Sequence, residues 1–270
     1  MLTAKHLITF ILTIVYSALL TSSPVAYADD IFDDARIITG ASLGYSNFSF
    51  PEKLDHEISF PSANLMIGTT LNGWQLSLNS SFTLNDAVIS EEEDTGIASR
   101  DDHDITLGYQ VSDQWSIFTG YKLGKTKMDF ISREDADEGI SNTLNESYKQ
   151  EGFYAGVSYS WKFKKAGRLN IFLAYAFLDA TNNFGANTDS EEDEDEDEEL
   201  EFDDLTGTIK GNLDGFSYGV SWTMPLATNL LFQTRFKKND YQQDINFNGT
   251  SFDNIDETFT TLHVGLLYVF

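Results

Sequence analysis

Leu262-His263-Val264-Gly265-Leu266-Leu267-Tyr268-Val269-Phe270 decides the reading of this chain. Leu262, Val264, Leu266, Tyr268 and Phe270 fall on one face of an extended segment, and His263, Gly265, Leu267 and Val269 on the other. Side chains alternate across a strand, so this period of two predicts a β-strand with one apolar face. Nine further segments alternate in the same way. Their apolar faces are Ala41-Leu43-Tyr45; Ala63-Leu65-Ile67; Trp74-Leu76-Leu78; Ile105-Leu107-Tyr109-Val111; and Trp115-Ile117-Thr119-Tyr121-Leu123. The second half continues with Phe153-Ala155-Val157-Tyr159-Trp161-Phe163; Ile171-Leu173-Tyr175-Phe177; Phe216-Tyr218-Val220-Trp222; and Leu230-Phe232-Thr234-Phe236. The opposite faces are small and polar, as in Gly40-Ser42-Gly44 and Gly156-Ser158-Ser160.

The connections are lopsided. Four are short: Thr70 to Gly73, Ser112 to Gln114, Lys164 to Gly167, and Pro225 to Thr228. The five between them, roughly 47–57, 84–103, 130–147, 179–206 and 239–256, read as long polar loops. Short turns at one rim, long loops at the other and an even strand number describe an all-β, antiparallel, up-and-down transmembrane barrel of about ten strands. Trp74 and Trp115 open strands just after short turns, and Trp161 and Trp222 close strands just before them. All four share the apolar parity at one rim. Tryptophan favours the membrane interface because its ring is apolar and its N–H wants a wet partner. These four, with Phe270, are the expected interface anchors. A soluble periplasmic β-protein is the competing reading, and it would place the apolar faces inward.

A strand ending on a terminal Phe with Tyr268 two before it resembles the closing strand of Gram-negative outer-membrane β-barrels. The resemblance covers the strands, the aromatic rim and the terminal segment, and it names no subfamily. It implies recognition by the barrel-insertion machinery through the last strand, an outer-membrane location, and both termini in the periplasm. The N-terminal residues agree: Lys5 precedes the apolar run Leu7 to Leu20, and Ala26-Tyr27-Ala28 is a small-x-small cleavage site. Residues 1–28 are therefore read as a signal peptide and 29–270 as the barrel. No other segment approaches the roughly 20 apolar residues of a spanning helix. With no cysteine, a disulfide framework and thiolate metal sites are excluded.

The net charge is −26, concentrated in the acidic loop at about 187–204, where Asp189 to Asp204 reads DSEEDEDEDEELEFDD. Such a block repels itself and cannot bury apolar area. It is read as a solvated tether; the alternative is loose, low-affinity collection of divalent cations. Asp193, Asp195 and Asp197 lack the glycine of a calcium-binding turn, so no metal site is assigned. Nucleic acid is excluded as a partner because the surface repels phosphates. Lys125, Lys127, Lys149 and Lys238 continue the outward parity just beyond the apolar bands, where they are placed to meet outer-leaflet lipid or lipopolysaccharide phosphates.

Ten strands lie between small barrels filled by side chains and large open porins. The inward set is mostly Gly, Ser, Thr and Ala. Lys122, Lys162, Arg235 and His263 are its charged members, with no carboxylate inside the assigned apolar bands. The preferred function is a narrow passive channel for small solutes or ions, with these four setting the field. The alternative is a plugged barrel serving as a surface-interaction or envelope-structural protein, with carboxylates folded in from the loops beside these bases. A third reading is an omptin-like hydrolase, since His103 lies within Asp101-Asp102-His103-Asp104. The second half of an omptin site has no match here, and His263 with Ser42 would face inward, away from lipid. No catalytic residue and no cofactor is assigned, and the chain is expected not to be an enzyme.

Overall fold

A computed structural model describes residues 35–49, 57–90, 94–132, 143–164, 166–187, 207–247 and 250–270. The expected signal peptide and the acidic loop beyond Asn187 lie outside them. The barrel runs from Arg36 to Phe270. Its strands are β1 (Arg36–Ser49), β2 (Glu57–Leu71), β3 (Trp74–Thr83), β4 (Ala87–Ser90), β5 (Asp94–Gln110), β6 (Trp115–Ser132), β7 (Thr143–Phe163), β8 (Gly167–Asn187), β9 (Gly207–Pro225), β10 (Leu230–Phe247) and β11 (Thr250–Val269).

Apart from β3 and β4, each strand pairs antiparallel with its sequence neighbours, and β1 closes the ring on β11, with Ser42 opposite Gly265 and Tyr45 opposite Leu262. β3 and β4 are two pieces of one stave interrupted at Leu84–Asp86: both pair with β5, β3 along Asp101–Tyr109 and β4 along Thr95–Ala98. The barrel therefore has ten staves, as the alternation predicts. At the short-turn rim, Asn72 (φ 49°) and Gly73 (φ 83°) are both left-handed. That is the backbone a two-residue hairpin needs to match strand twist.

The strands run much further than the sequence reading placed them. β7 and β8 have 21 residues each, about twice the roughly 9–11 a tilted strand needs to cross a bilayer. Most of the residues expected in the five long loops are strand instead. The reason is a change of parity in where apolar side chains go. On β6, Ile117 faces out in the lower part, but further up Lys125 and Lys127 face out while Met128 turns in and is buried. On β8, Leu173 and Phe177 are exposed outside, whereas Leu178 and Ala180 are buried inside.

The lower part thus has the inside-out pattern of a membrane barrel and the upper part the inside-in pattern of a soluble one. Exposed outward residues such as Leu43, Leu107, Ile171 and Leu266 form the apolar band. Trp74, Trp115, Trp161 and Trp222 are exposed at the short-turn edge of that band, with Phe270 beside Tyr268. Trp74 and Trp115 stack on Tyr109 and Tyr159, both at 4.8 Å. The Trp222 indole N–H donates to the Ala166 carbonyl at 2.7 Å. A second aromatic row, Tyr121–Phe153 and Phe177–Tyr175–Phe216, borders the band's other edge. Two aromatic girdles around an apolar band are the outward signature of an outer-membrane barrel.

Candidate functional site

The interior is the natural place to look, and its upper half is filled. Phe48, Ile58 and Phe60 (β1 and β2) meet Tyr148, Leu178, Leu213, Tyr241 and Phe259 across the barrel axis, all buried. Arg100, 2% exposed, is threaded through this cluster. Its guanidinium is bidentate to Asp102, at 2.8 and 3.0 Å, and also donates to Thr126 Oγ1 at 2.9 Å and to Gln150 Oε1 at 3.0 Å. The rings of Phe48 and Phe259 lie 4.8 and 4.3 Å from it. Glu257 from the opposite side accepts from Tyr148 Oη at 2.6 Å and from Gln150 Nε2. A buried charge is tolerated when it is paired and its donors are satisfied, and this network does both.

The electrostatics follow from that packing. Burial raises the Tyr148 phenol well above its usual range, and the Glu257 carboxylate adds to the effect. Burial alone would raise the Asp102 carboxyl too, but Arg100 and Lys122 hold it below the usual carboxylate range. Asp102 therefore stays ionised and Tyr148 neutral near pH 7.

Below this plug lies a polar-lined cavity of about 60 Å³, room for a few waters. Lys122, Arg235, Lys237 and His263 line it, with Asp102 and Asp104. Lys122 lies 3.5 Å from Tyr241 Oη and 4.9 Å from the ring centroid. Asp104 accepts from Asn79 Nδ2 at 3.0 Å and from Thr106 Oγ1 at 3.1 Å. Phe118, Tyr154 and Phe172 stack along the opposite wall of the lumen, with centroids 6.3 Å apart.

Of the four lumen bases expected from sequence, the fold brings Lys122, Arg235 and His263 to one cavity. It leaves Lys162 exposed at the short-turn rim opposite Arg168. Carboxylates do stand beside these bases, but Asp102, Asp104 and Glu257 come from strand extensions and not from loops folded in. The inward partner of His263 is Ser62, at 2.9 Å, and not Ser42. Gly44 explains how the ring fits: a Cβ there would come within 2.6 Å of His263 Cδ2 and 1.9 Å of the Leu262 carbonyl. Two of the four outward lysines have partners on their own strands, Lys149 with Glu151 at 2.7 Å and Lys238 with Asp240 at 2.9 Å. Lys125 and Lys127 face outward with Asp101 between them and His103. The run Asp101–Asp104 is split by strand parity: Asp102 and Asp104 point into the lumen and Asp101 and His103 alternate outward, although His103 also borders the inner cavity.

Sequence reasoning missed Arg100, Lys237 and Glu257, which fell among residues read as loops or beyond the assigned bands. An available signal was Arg100-x-Asp102: two residues apart on a strand share a face.

No family model matches this sequence, and no curated protein matches it. Solved structures do. The fold is similar to the outer membrane protease OmpT of Escherichia coli at 9% identity, covering 91% of this chain and 99% of that one, with a TM-score of 0.50. The translocator domain of autotransporter NalP of Neisseria meningitidis matches at 11% identity, over 99% and 98% of the two chains, with a TM-score of 0.49. The toluene transporter TodX of Pseudomonas putida matches at 8% identity, over 88% and 89%, with a TM-score of 0.36. The chain is a closed ten-stave antiparallel β-barrel, similar in fold to an outer-membrane protein of a Gram-negative bacterium. Because a barrel of this fold is a protease, the expectation that the chain is not an enzyme is corrected: the architecture gives no ground for excluding catalysis.

Proposed function

We propose that this protein sits in the bacterial outer membrane as a barrel closed on its own axis, and that it works through its outer face and the lipid around it. The observation that carries this reading is the Arg100–Asp102–Gln150–Glu257–Tyr148 network, wedged between Phe48 and Phe259 where a pore would have to pass. A channel needs a continuous wet path with weak binding along it. A buried guanidinium with every face occupied offers neither. The geometry thus favours the plugged barrel over the narrow passive channel. Lys125 and Lys127, just beyond the apolar band, are the residues we assign to lipid or lipopolysaccharide phosphates.

The test is solute flux into liposomes containing the refolded protein. Arabinose, glycine and chloride should enter no faster than into empty liposomes. Entry of any of these at porin-like rates by the wild-type protein would overturn the reading.

A further inference from the structure

Among the described residues two serine–histidine pairs are hydrogen-bonded, and strand parity sends them to opposite sides of the wall. Ser62 and His263 face inward; Ser62 is buried and also bonded to Ser46 at 2.8 Å, so nothing reaches it. By strand alternation Ser80 and His103 share the outward face, and His103 also borders the inner cavity. They stand directly opposite each other in the β3–β5 register, with Ser80 Oγ 2.8 Å from His103 Nδ1, and both are half-buried. With the imidazole proton on Nε2, the hydroxyl donates to Nδ1, which is the hydrogen bond that makes serine a nucleophile. Asp101, two residues along the same face, interacts electrostatically with His103, Lys127 and Lys125.

The level of this pair on the barrel matters as much as its geometry. One step toward the periplasm on the same face lie Leu78 and Ile105, opposite each other in the register; one step outward lie Phe82 and Asp101, and Asp101 is opposite Lys125. Within its own row the pair is flanked by Leu65 and Leu123. Beyond Ser80 and His103 the outward face turns from apolar to mixed, with Asp101, Lys125 and Lys127 beside Phe82 and with Val88 and Ile97 exposed further along. A phospholipid makes its change in the same order, acyl chains first, then ester carbonyls, then phosphate. An outer-leaflet lipid lying against β3, β5 and β6 would set its chains on Leu78 and Ile105 and its phosphate by Lys125 and Lys127. Its ester would lie beside Ser80.

We propose that Ser80 and His103 are the nucleophile and base of a lipid-ester hydrolase facing the outer leaflet, with Asp101 as a positioning residue that stabilises the protonated imidazole. The reading is independent of the closed axis. In the first step Ser80 Oγ bonds to the acyl carbonyl carbon while its proton passes to His103. The ester C–O bond then breaks, and the departing alkoxide takes that proton, leaving an acyl-Ser80 and a lysolipid. Water, deprotonated by His103, attacks the acyl carbon and releases the fatty acid, and the proton returns to Ser80. No oxidant or further reactant is needed. The strands here are paired on both sides and have no spare backbone N–H, so the oxyanion falls to Lys125 and water.

The experiment uses the full refolded chain in mixed micelles with dipalmitoyl phosphatidylethanolamine, reading released palmitate and, separately, labelling by a fluorophosphonate probe mapped to its serine. Wild-type protein should release palmitate and carry the label on Ser80. S80A and H103A should each reduce release by at least about 100-fold, the lower end of what a general base contributes. D101N should lower kcat about 10-fold and shift its pH profile, with KM unchanged. S99A, on the same face, should match wild type. The mobility shift of folded barrels in unheated SDS gels verifies folding of each variant. Folded wild type that neither releases palmitate nor labels Ser80 would overturn the proposal, as would release that survives S80A.

Discussion

Below the row of Ile105 and Tyr121 the strands turn leucine, isoleucine and valine outward and line the lumen with glycine and serine. Above it the same strands turn Phe60, Met128, Leu178 and Phe259 inward and put Lys127, Asp129 and Asn145 outside. Between β7 and β8 the hydrogen-bonded register does not change from one part to the other; they pair without a break from Thr143–Asn187 to Phe163–Gly167. What changes is the solvent. In lipid the outer wall is the cheap place for apolar area, while in water the interior is. One continuous sheet can serve both because a strand offers two independent faces. The upper part then stabilises itself as a soluble barrel does, and its core closes the axis.

Arg100 is the side chain on which the upper core depends most. Replacing it with alanine leaves the half-buried Asp102 without its bidentate partner and opens a void between Phe48 and Phe259, at a cost of about 3 kcal/mol. The temperature at which the folded-barrel gel mobility is lost should fall accordingly, and ion conductance should appear. Next comes Leu107→Lys, in the lipid-facing band, which should cost roughly 2–4 kcal/mol in refolding into bilayers. Acid probes the plug more gently. The Asp102 carboxyl lies below its usual range in the folded state, so its contribution is complete above about pH 4 and lost as pH falls through the depressed value. Stability measured by urea unfolding in detergent should lose this increment only below about pH 4, and D102N should abolish that part of the acid sensitivity. Smallest is Asn145→Lys, outward and exposed in the upper part, which should move stability by no more than about 0.5 kcal/mol. If Asn145→Lys were as costly as Leu107→Lys, the upper wall would be facing lipid and the comparison would fail.

The lower part was legible in the sequence and the upper part was not, for one physical reason. Leu107 and Tyr109 alternate with Gly108, a contrast visible without any knowledge of pairing. Above the band both faces carry polar residues, and Ser99, Arg100, Asp101, Asp102 and His103 read as an acidic loop although they alternate out and in along β5. Lys122, Arg235 and His263 were found as lumen bases because each interrupts a clean apolar alternation. Glu257 was not, because Asp256 and Thr258 beside it are polar too. The Ser80–His103 pair needed the register, since 23 residues separate its members.

Single-channel recording of the refolded wild-type protein in a planar bilayer, at neutral pH and high salt, tests the closed axis most directly. The membrane should stay silent with the wild type and show discrete steps with Arg100→Ala. Regular open steps from well-folded wild-type protein would contradict the account.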